Sequence, residues 1–381
     1  MQAEMTGDGI VGDTGTGPPA DEPIGTLELV WSFDGPMPTG VTVSHSGRIF
    51  VNYPKWGDDV PATVTELRDG EAIPYPDEQW NRPAGDDDAD ALVSVQSVVV
   101  DPADRLWILD TGSPKFQPTS PGGPKMVCVD LTSDQVVQTI VFPRDVALDT
   151  TYLNDVRFDL RRGEGGMAFI TDSSDSGPNG IIVVDLAAGE GWRRLHDHPS
   201  TKCESWETFR PIVEGRPLAE RPADGPPEPM CMGTDSLAIG ADGARLYYAP
   251  LTSRRLYSVS IDALCDRTLA EDAVAATVVD EGDKGSGADG LETDDLGRIY
   301  ITAYEHNAVL RRLPDGQFET VVHDGRLLWP DTMSVATDGY LYVTANQLHR
   351  QERYQGGQDQ RRKPYALFRV RIDAGPVLLR A

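Results

Sequence analysis

The sequence has little basic charge and no long apolar run. Only 34 Lys and Arg stand against 61 Asp and Glu, which gives a formal net charge of -27 over 381 residues. Nucleic-acid binding requires a surplus of basic side chains that displace counterions from the phosphates, so this function is excluded. An anionic membrane surface is disfavoured by the same charge, and no apolar run approaches the roughly 20 residues of a membrane-spanning helix.

The N-terminus lacks the basic start and the apolar stretch of a secretory signal peptide. We therefore expect a cytoplasmic, monomeric protein. Residues 1–23 show almost no apolar periodicity and are predicted to form a disordered lead to a single domain, 24–381.

Cysteine is scarce, and the four cysteines, at 128, 203, 231 and 265, include no CxxC pair. A zinc cage is therefore not expected. Cys203 and Cys231 flank a Pro-rich insertion and would be bridged in an oxidising compartment, but the missing export signal favours free thiols.

Several catalytic signatures are also absent. The sequence has no GxSxG nucleophile elbow, no HExxH, no GxxxxGK[ST] phosphate loop and no GxGxxG that opens a helix. This argues against serine-hydrolase, kinase and dehydrogenase chemistry.

A short hairpin pattern recurs along the chain. Each copy has a β-branched strand, a turn rich in Asp and Gly, and a second strand with an aromatic residue near its centre; the copies begin at Gly40, Ser97, Asp155, Ser236, Gly290 and Thr332. Further strand-like runs follow each copy, so one unit supplies about four antiparallel strands. Six such sheets bury their faces when they stack in a ring. The sequence therefore predicts an all-β, six-bladed β-propeller, closed by pairing of 26–33 with 365–372.

Residues directly before the innermost strands should line the mouth of the central channel. In the six copies these are all polar: Thr39, Gln96, Asn154, Asp235, Asp289 and Asp331. The returning strands end on the same face and add Tyr53, Asp110, Asp172, Tyr304, Glu305 and Asn346.

Carboxylates that converge at an axis raise one another's pKa unless a cation neutralises them. We therefore expect a small-molecule site for a cationic or metal-bound ligand. Asp235, Asp289 and Asp331 are the candidate catalytic residues, and Gln96, Asn154, Asp155, Tyr304 and Asn346 are the candidate ligand-binding residues. Asn154, Asp235 and Asp289 also suit calcium or another divalent cation, which prefers oxygen ligands.

Segments from about residue 90 to 350 resemble the major royal jelly protein and Yellow family. The resemblance rests on LVSVQSVVVDPADRLWILDTG (92–112), YLNDVRFDL (152–160), MGTDSLAIGADGARLYYAPLTSRRLYSV (232–259), DKGSGADGLETDDLGRIYITAYEHNAV (283–309) and LLWPDTMSVATDGYLYVTANQLHR (327–350). It implies a six-bladed propeller. Family members take part in dopachrome conversion, bind biogenic amines or serve in nutrition, which favours an isomerase or tautomerase of an aromatic amine or catechol derivative.

Two alternatives remain open. The gluconolactonase-like propellers are a related group with an axial divalent cation, and Asn154, Asp235 and Asp289 match their ligand positions. The first copy, however, has Thr39 and Gly40 where that group has a Glu. The other alternative is a binding protein without catalytic activity.

Overall fold

The computed structural model describes residues 22–82 and 89–380. Strands dominate these residues and form six four-stranded antiparallel sheets, so the predicted six-bladed β-propeller is confirmed. Most of the predicted N-terminal lead, residues 1–21, lies outside the described part of the chain.

The strands are numbered in chain order. After β1 (Glu28–Phe33), blade 1 contains β2 (Val41–Val43), β3 (Ile49–Asn52), β4 (Val64–Arg68) and β5 (Glu71–Pro74), and blade 2 contains β6 (Val95–Val100), β7 (Arg105–Thr111), β8 (Pro124–Asp130) and β9 (Gln135–Val141). Blade 3 contains β10 (Leu153–Asp159), β11 (Met167–Asp172), β12 (Gly180–Asp185) and β13 (Glu190–Arg194).

Two short hairpins precede the second half of the ring: β14 (Ile212–Val213) with β15 (Arg216–Pro217), and β16 (Ala219–Glu220) with β17 (Glu228–Pro229). Blade 4 contains β18 (Thr234–Ile239), β19 (Arg245–Pro250), β20 (Arg255–Ser260) and β21 (Val279–Asp283), and blade 5 contains β22 (Ala288–Thr293), β23 (Ile299–Ala303), β24 (Ala308–Arg312) and β25 (Phe318–His323). Blade 6 contains β26 (Pro330–Val335), β27 (Tyr340–Ala345) and β28 (Tyr365–Arg371).

Helices in the described residues are short. They are α1 (Ile261–Cys265), α2 (Glu271–Ala275) and the 3-10 turns Pro114–Phe116, Pro199–Thr201, Leu348–Arg350 and Glu352–Tyr354. None of the helices in residues 22–82 and 89–380 is long and apolar enough to cross a membrane.

The ring closes between the two ends of the propeller. Strand β1 pairs antiparallel with β28, with Glu28 opposite Arg369 and Phe33 opposite Tyr365, and so supplies the fourth strand of blade 6. This pairing covers the edge of β28, which would otherwise present unpaired backbone groups to solvent.

Hydrophobic cores lie between neighbouring blades. Six clusters of buried side chains each join two adjacent blades around the ring. Between blades 2 and 3, for example, the rings of Trp107 and Phe158 stack with centroids 5.4 Å apart. The aromatic side chain of the repeat thus packs against the next blade. The removal of its apolar area from water stabilises the propeller.

The recurring Asp-rich turn also has a structural explanation. In blade 2 the buried Asp101 carboxylate accepts hydrogen bonds from the backbone N–H of Ala103 (2.8 Å) and from the indole of Trp107 (2.9 Å). In blade 5 Asp294 likewise accepts from the backbone N–H of Leu296 (3.0 Å) and from the hydroxyl of Tyr300 (2.8 Å). One carboxylate therefore fixes both the turn and the aromatic ring that follows.

A long insertion between blades 3 and 4 is cross-linked. Cys203 and Cys231 form a disulfide with their Cα atoms 5.4 Å apart. The expectation of free thiols for this pair was wrong, because the two small hairpins fold the 28-residue separation back on itself. Cys128 and Cys265 are free thiols.

Candidate functional site

A β-bulge carries the axial residue in five of the six blades. The register between the two innermost strands shifts at Gln96 in blade 2, at Asn154 and Asp155 in blade 3, at Asp235 in blade 4, at Asp289 and Gly290 in blade 5, and at Asp331 and Thr332 in blade 6. Bulged residues leave the regular ladder and are free to point in a new direction.

Asp235 and Asp289 form the centre of the site. Asp235 and Asp289 both line the axial cavity, and the charge of Asp289 raises the pKa of Asp235. Asn154 Nδ2 donates to Asp235 Oδ2 at 3.0 Å, and the indole N–H of Trp329 donates to Asp289 Oδ2 at 2.5 Å. Asp235 is 2% exposed, so its charge has almost no direct solvation.

Asp331 lies on the flank of this pair. Its carboxylate accepts from Asn346 Nδ2 at 2.6 Å and from the hydroxyl of Thr332 at 3.0 Å. Through its charge it raises the pKa of Asp235. Asp331 therefore acts on the pair electrostatically, and Asn346 holds it in place.

Asp155 faces the other side of the bulge and is paired with a buried cation. Arg157 Nη1 donates to Asp155 Oδ1 at 2.7 Å, and Arg157 Nη2 lies 3.3 Å from Glu292 Oε2. Ser97 adds a hydrogen bond to the same Asp155 oxygen at 3.1 Å. This arrangement keeps an ion pair below the acidic centre.

Burial raises the pKa values of all three predicted catalytic carboxyls. Removal from water raises the pKa of Asp289 to about 6, even though the hydrogen bond from Trp329 acts in the opposite direction. Burial and the neighbouring charge of Asp289 raise the pKa of Asp235 and of Asp331 well above the usual range. The centre therefore holds at least one proton or attracts a cation near neutral pH.

A narrow cavity of about 20 Å³ opens above the pair. Its polar floor consists of Gln96, Asn154, Asp235 and Asp289. One wall is a stack of three aromatic rings, in which Phe116 lies between Trp56 (5.5 Å) and Tyr152 (4.6 Å). Tyr152 donates its hydroxyl to Gln96 Oε1 at 3.0 Å and so connects this wall to the floor.

Two insertions cover the cavity, and we call residues 212–221 and 346–357 the roof. Leu348, Gln351, Arg353 and Tyr354 of the roof line the cavity from above, and Met232 and Leu251 line it from the side of blade 4. The two parts of the roof are joined through the backbone, where Arg221 N donates to Arg353 O at 2.7 Å.

Four of the eight predicted site residues, Gln96, Asn154, Asp235 and Asp289, line the cavity. Asp331 and Asp155 act on Asp235 through their charges, and Asn346 donates a hydrogen bond to Asp331. Tyr304 is fully buried, stacks on Trp329 with centroids 4.3 Å apart, and donates its hydroxyl to the carbonyl oxygen of Leu251 at 2.8 Å. It therefore packs behind the site.

The carboxylates at the ends of two returning strands have a structural role. Asp110 accepts hydrogen bonds from the backbone N–H of Val93 (2.6 Å) and Ser94 (2.9 Å) and pairs with the buried Lys125. Asp172 accepts from the backbone N–H of Tyr152 at 3.0 Å and pairs with Arg193.

Sequence reasoning missed the aromatic wall and the roof. Trp56, Phe116 and Tyr152 lie outside the hairpin columns, and Arg353 and Tyr354 belong to an insertion whose path no periodicity predicts. The one available signal was position, because Tyr152 comes two residues before the axial Asn154.

The donors at the floor are compatible with a divalent cation. Asp235 Oδ1 is buried and has no hydrogen-bond partner in the described part of the chain. Asn154 uses its Nδ2 group for both of its side-chain hydrogen bonds, to Asp235 and Ser173, which leaves Oδ1 available to a ligand. Among residues 22–82 and 89–380, however, no group of three or more His, Cys, Asp or Glu side chains is placed to hold a metal ion.

The fold and the site define a six-bladed propeller with a covered acidic cavity at one axial mouth. A family model described as major royal jelly protein matches residues 93–374, and the chain belongs to this family. The chain is 28% identical over 286 residues to protein yellow of Drosophila erecta and, equally, of Drosophila melanogaster. These matches cover 72% of this chain and 50% of the relatives, so the chain spans about half the length of the curated relatives it matches.

Solved structures share the fold at low sequence identity. A gluconolactonase of Xanthomonas campestris superposes with a TM-score of 0.52 at 11% identity, over 91% of this chain and 89% of that chain. The calcium-binding protein regucalcin of Agrobacterium tumefaciens superposes with a TM-score of 0.54 at 14% identity, over 92% and 97%. At these identities the likeness shows the fold alone.

Proposed function

We propose that the axial cavity binds a small organic cation that carries an aromatic ring, such as a phenolic or catechol amine, and isomerises it by proton transfer. The observation that carries this proposal is the buried Asp235–Asp289 pair at the floor of a cavity with aromatic walls. A desolvated carboxylate attracts an ammonium group, and stacked rings accept an aromatic face.

The chemistry uses one ionised and one protonated carboxyl, because the pKa of Asp235 is raised further than that of Asp289. An ionised Asp289 takes a proton from a carbon of the ligand, and the protonated Asp235 returns a proton at a second position, so the net reaction moves one hydrogen and neither oxidises nor reduces the ligand. A pKa of about 6 places Asp289 close to the pH at which a general base is most effective. Asn154 and Gln96 orient the oxygens of the ligand.

Calorimetric titration with tyramine as the probe tests the binding step. Asp235→Asn and Asp289→Asn should each weaken binding, whereas Asp280→Asn, which removes an exposed carboxylate of the outer strand β21, should leave affinity unchanged. Unchanged affinity in both site variants would contradict the assignment of Asp235 and Asp289 to the ligand-binding site. Turnover is then followed with the o-quinone of dopamine as the probe, since it carries an ammonium group and a benzylic hydrogen. Binding without turnover would indicate a binding protein without catalytic activity.

A second candidate is a divalent-metal hydrolase of lactones or esters. It is favoured by the unpartnered Asp235 Oδ1 and by the available Asn154 Oδ1 beside Asp289. These three residues would hold the cation, which in such enzymes polarises a carbonyl and activates water. Gluconolactonase and calcium-binding neighbours share the fold.

Blade 1 bears on this second candidate. Thr39, at the first axial position, accepts a hydrogen bond from Asn52 Nδ2 at 2.9 Å and offers no carboxylate to the centre. Elemental analysis of the purified protein, followed by titration with calcium and manganese, distinguishes the two candidates. Absence of bound metal together with no heat of binding would reject the hydrolase.

A further inference from the structure

The roof closes the axial direction firmly. Glu214 accepts a hydrogen bond from His349 at 2.9 Å and pairs with Arg350, and Glu220 pairs with Arg353. Backbone hydrogen bonds between Arg221 and residues 353 and 356 add to these ion pairs. A ligand that approached along the propeller axis would have to break several polar contacts at once.

The wall toward blades 2 and 3 is held more weakly. Phe116 separates the cavity from solvent there through ring stacking on Trp56 and Tyr152 and through the Arg353 guanidinium, 5.2 Å from its ring centroid. Its own side chain makes no polar contact and is partly exposed. The backbone at Lys115 and Phe116 has φ values of 56° and 56°, a left-handed conformation that is unfavourable for a bulky residue.

A second cleft lies on the outer side of the same ring. This cleft, of about 150 Å³, is lined by Ser113, Gln117, Asp149, Ser174 and Asp175, and it shares Phe116 and Tyr152 with the axial cavity. Its polar and acidic lining suits the approach of a hydrated cation. Movement of one phenyl ring would join the two spaces.

We infer that Phe116 is the gate of the axial site and that ligands reach the acidic floor through the cleft between blades 2 and 3, past this ring, with the roof closed. The nature of the ligand rests on the proposed function, whereas the route rests on the placement of Phe116 between two cavities. Phe116 therefore controls the rate of access and the size of ligand admitted.

Thiol labelling tests the route without any assumption about the ligand. Gln96→Cys places a reporter thiol on the cavity floor, and Cys265→Ser removes the partly exposed free thiol. The remaining free thiol, Cys128, is fully buried, and burial raises its pKa to about 12, so it stays unreactive. In this background Phe116→Ala should raise the rate of reaction with iodoacetamide about tenfold, because it removes the gate.

Three further variants serve as comparisons. Phe116→Leu retains apolar bulk but loses stacking and should show an intermediate rate, which also covers the case in which Phe116→Ala folds poorly. Lys115→Ala changes an exposed side chain of the same left-handed pair, and Glu214→Gln weakens the roof. Both should label at the parental rate. An equal or larger increase in Glu214→Gln, or no increase in either Phe116 variant, would overturn the proposed route.

Stopped-flow binding of tyramine distinguishes failure of the gate from failure of the proposed function. With Gln96 and Cys265 restored, Phe116→Ala should speed association about tenfold, because it removes the gate, and should speed dissociation by at least as much, since Phe116 also belongs to the aromatic wall of the cavity. If the parent does not bind tyramine while labelling still responds to Phe116→Ala, the proposed ligand class is wrong and the route stands. If tyramine binds and Phe116→Ala leaves both rates unchanged, the route is wrong and the ligand class stands.

Discussion

Asp235 in blade 4 and Asp289 in blade 5 lie together in the lining of the axial cavity, and the charge of Asp289 raises the pKa of Asp235. Asn154 holds the first residue from blade 3, and Trp329 holds the second from the segment that leads into blade 6. Two buried carboxylates in contact cannot both ionise without a large electrostatic penalty. The pair is therefore a proton or cation site created by the meeting of four blades.

Ligand affinity should depend on pH through Asp289. Its pKa of about 6 lies above the usual value, and a cationic ligand binds the ionised form. Affinity for tyramine should therefore rise between pH 5 and pH 7 and then level off. Asp289→Asn should abolish this rise and weaken binding about tenfold at pH 7. Calorimetry at pH 5, 6 and 7 measures both effects, and a variant that keeps the pH dependence contradicts the assignment.

The same carboxyl should make the ligand-free protein less stable as pH rises. The pKa of Asp289 is about 6 in the folded protein against an ordinary value of 3.8, so the contribution of this carboxyl to stability is fully present below pH 3.8 and is lost as pH rises through 6. In full, this loss should amount to about 3 kcal/mol of unfolding free energy. Urea unfolding of the parent and of Asp289→Asn at pH 4 and pH 7 tests this. The parent should lose more stability than the variant, and equal losses would refute the prediction.

Trp329→Phe should shift the pH dependence of binding upward. The indole N–H donates to Asp289 Oδ2 and thereby lowers the pKa of that carboxyl. Phenylalanine keeps an aromatic ring beside Tyr304 but removes the donor, so the midpoint should rise by about 0.5 to 1 pH unit. A pure packing role for Trp329 would change stability and leave the midpoint where it is. Trp206→Phe, at an indole outside the cavity lining, is the matched control.

Reduction of the Cys203–Cys231 disulfide should destabilise the insertion that carries part of the roof. The bridge closes a 28-residue separation, and Cys203→Ser with Cys231→Ser should lower the unfolding free energy by about 2 to 4 kcal/mol. Mass spectrometry after alkylation of the unfolded protein should find two free thiols, Cys128 and Cys265, and two more after reduction. Four free thiols without reductant would contradict the bridge.

The cellular location stays a prediction. The sequence analysis predicted the cytoplasm, but a structural disulfide persists best in an oxidising compartment. Thiol trapping in intact producing cells, before lysis, would show whether the bridge exists where the protein resides. A bridge found only after lysis would support the cytoplasmic expectation.

The fold could be predicted because its signals are local. A β-branched strand, an Asp-rich turn and an aromatic strand form one hairpin, and the turn carboxylates of Asp101 and Asp294 explain why these residue types recur together. Six repeats of one hairpin leave few architectures in which every sheet face is buried.

The site could be predicted only in part. Counting back from the innermost strands found Asp235 and Asp289, because the same position recurs in every blade. Counting could not show that bulges at these positions turn the side chains toward one another. It also placed Tyr304 at the site, although the ring packs behind it against Trp329.

The sequence by itself determined the all-β class, the number of blades and the polar identity of the axial positions, since each depends on residue type and short-range period. Only the tertiary structure decided which carboxyls and aromatic rings line the cavity and which cysteines pair. These features depend on contacts between residues far apart in the chain, such as Asn154 with Asp235 and Glu214 with Arg350. Most of these contacts involve insertions that have no repeat period. The positions of these insertions become definite only when the propeller has closed.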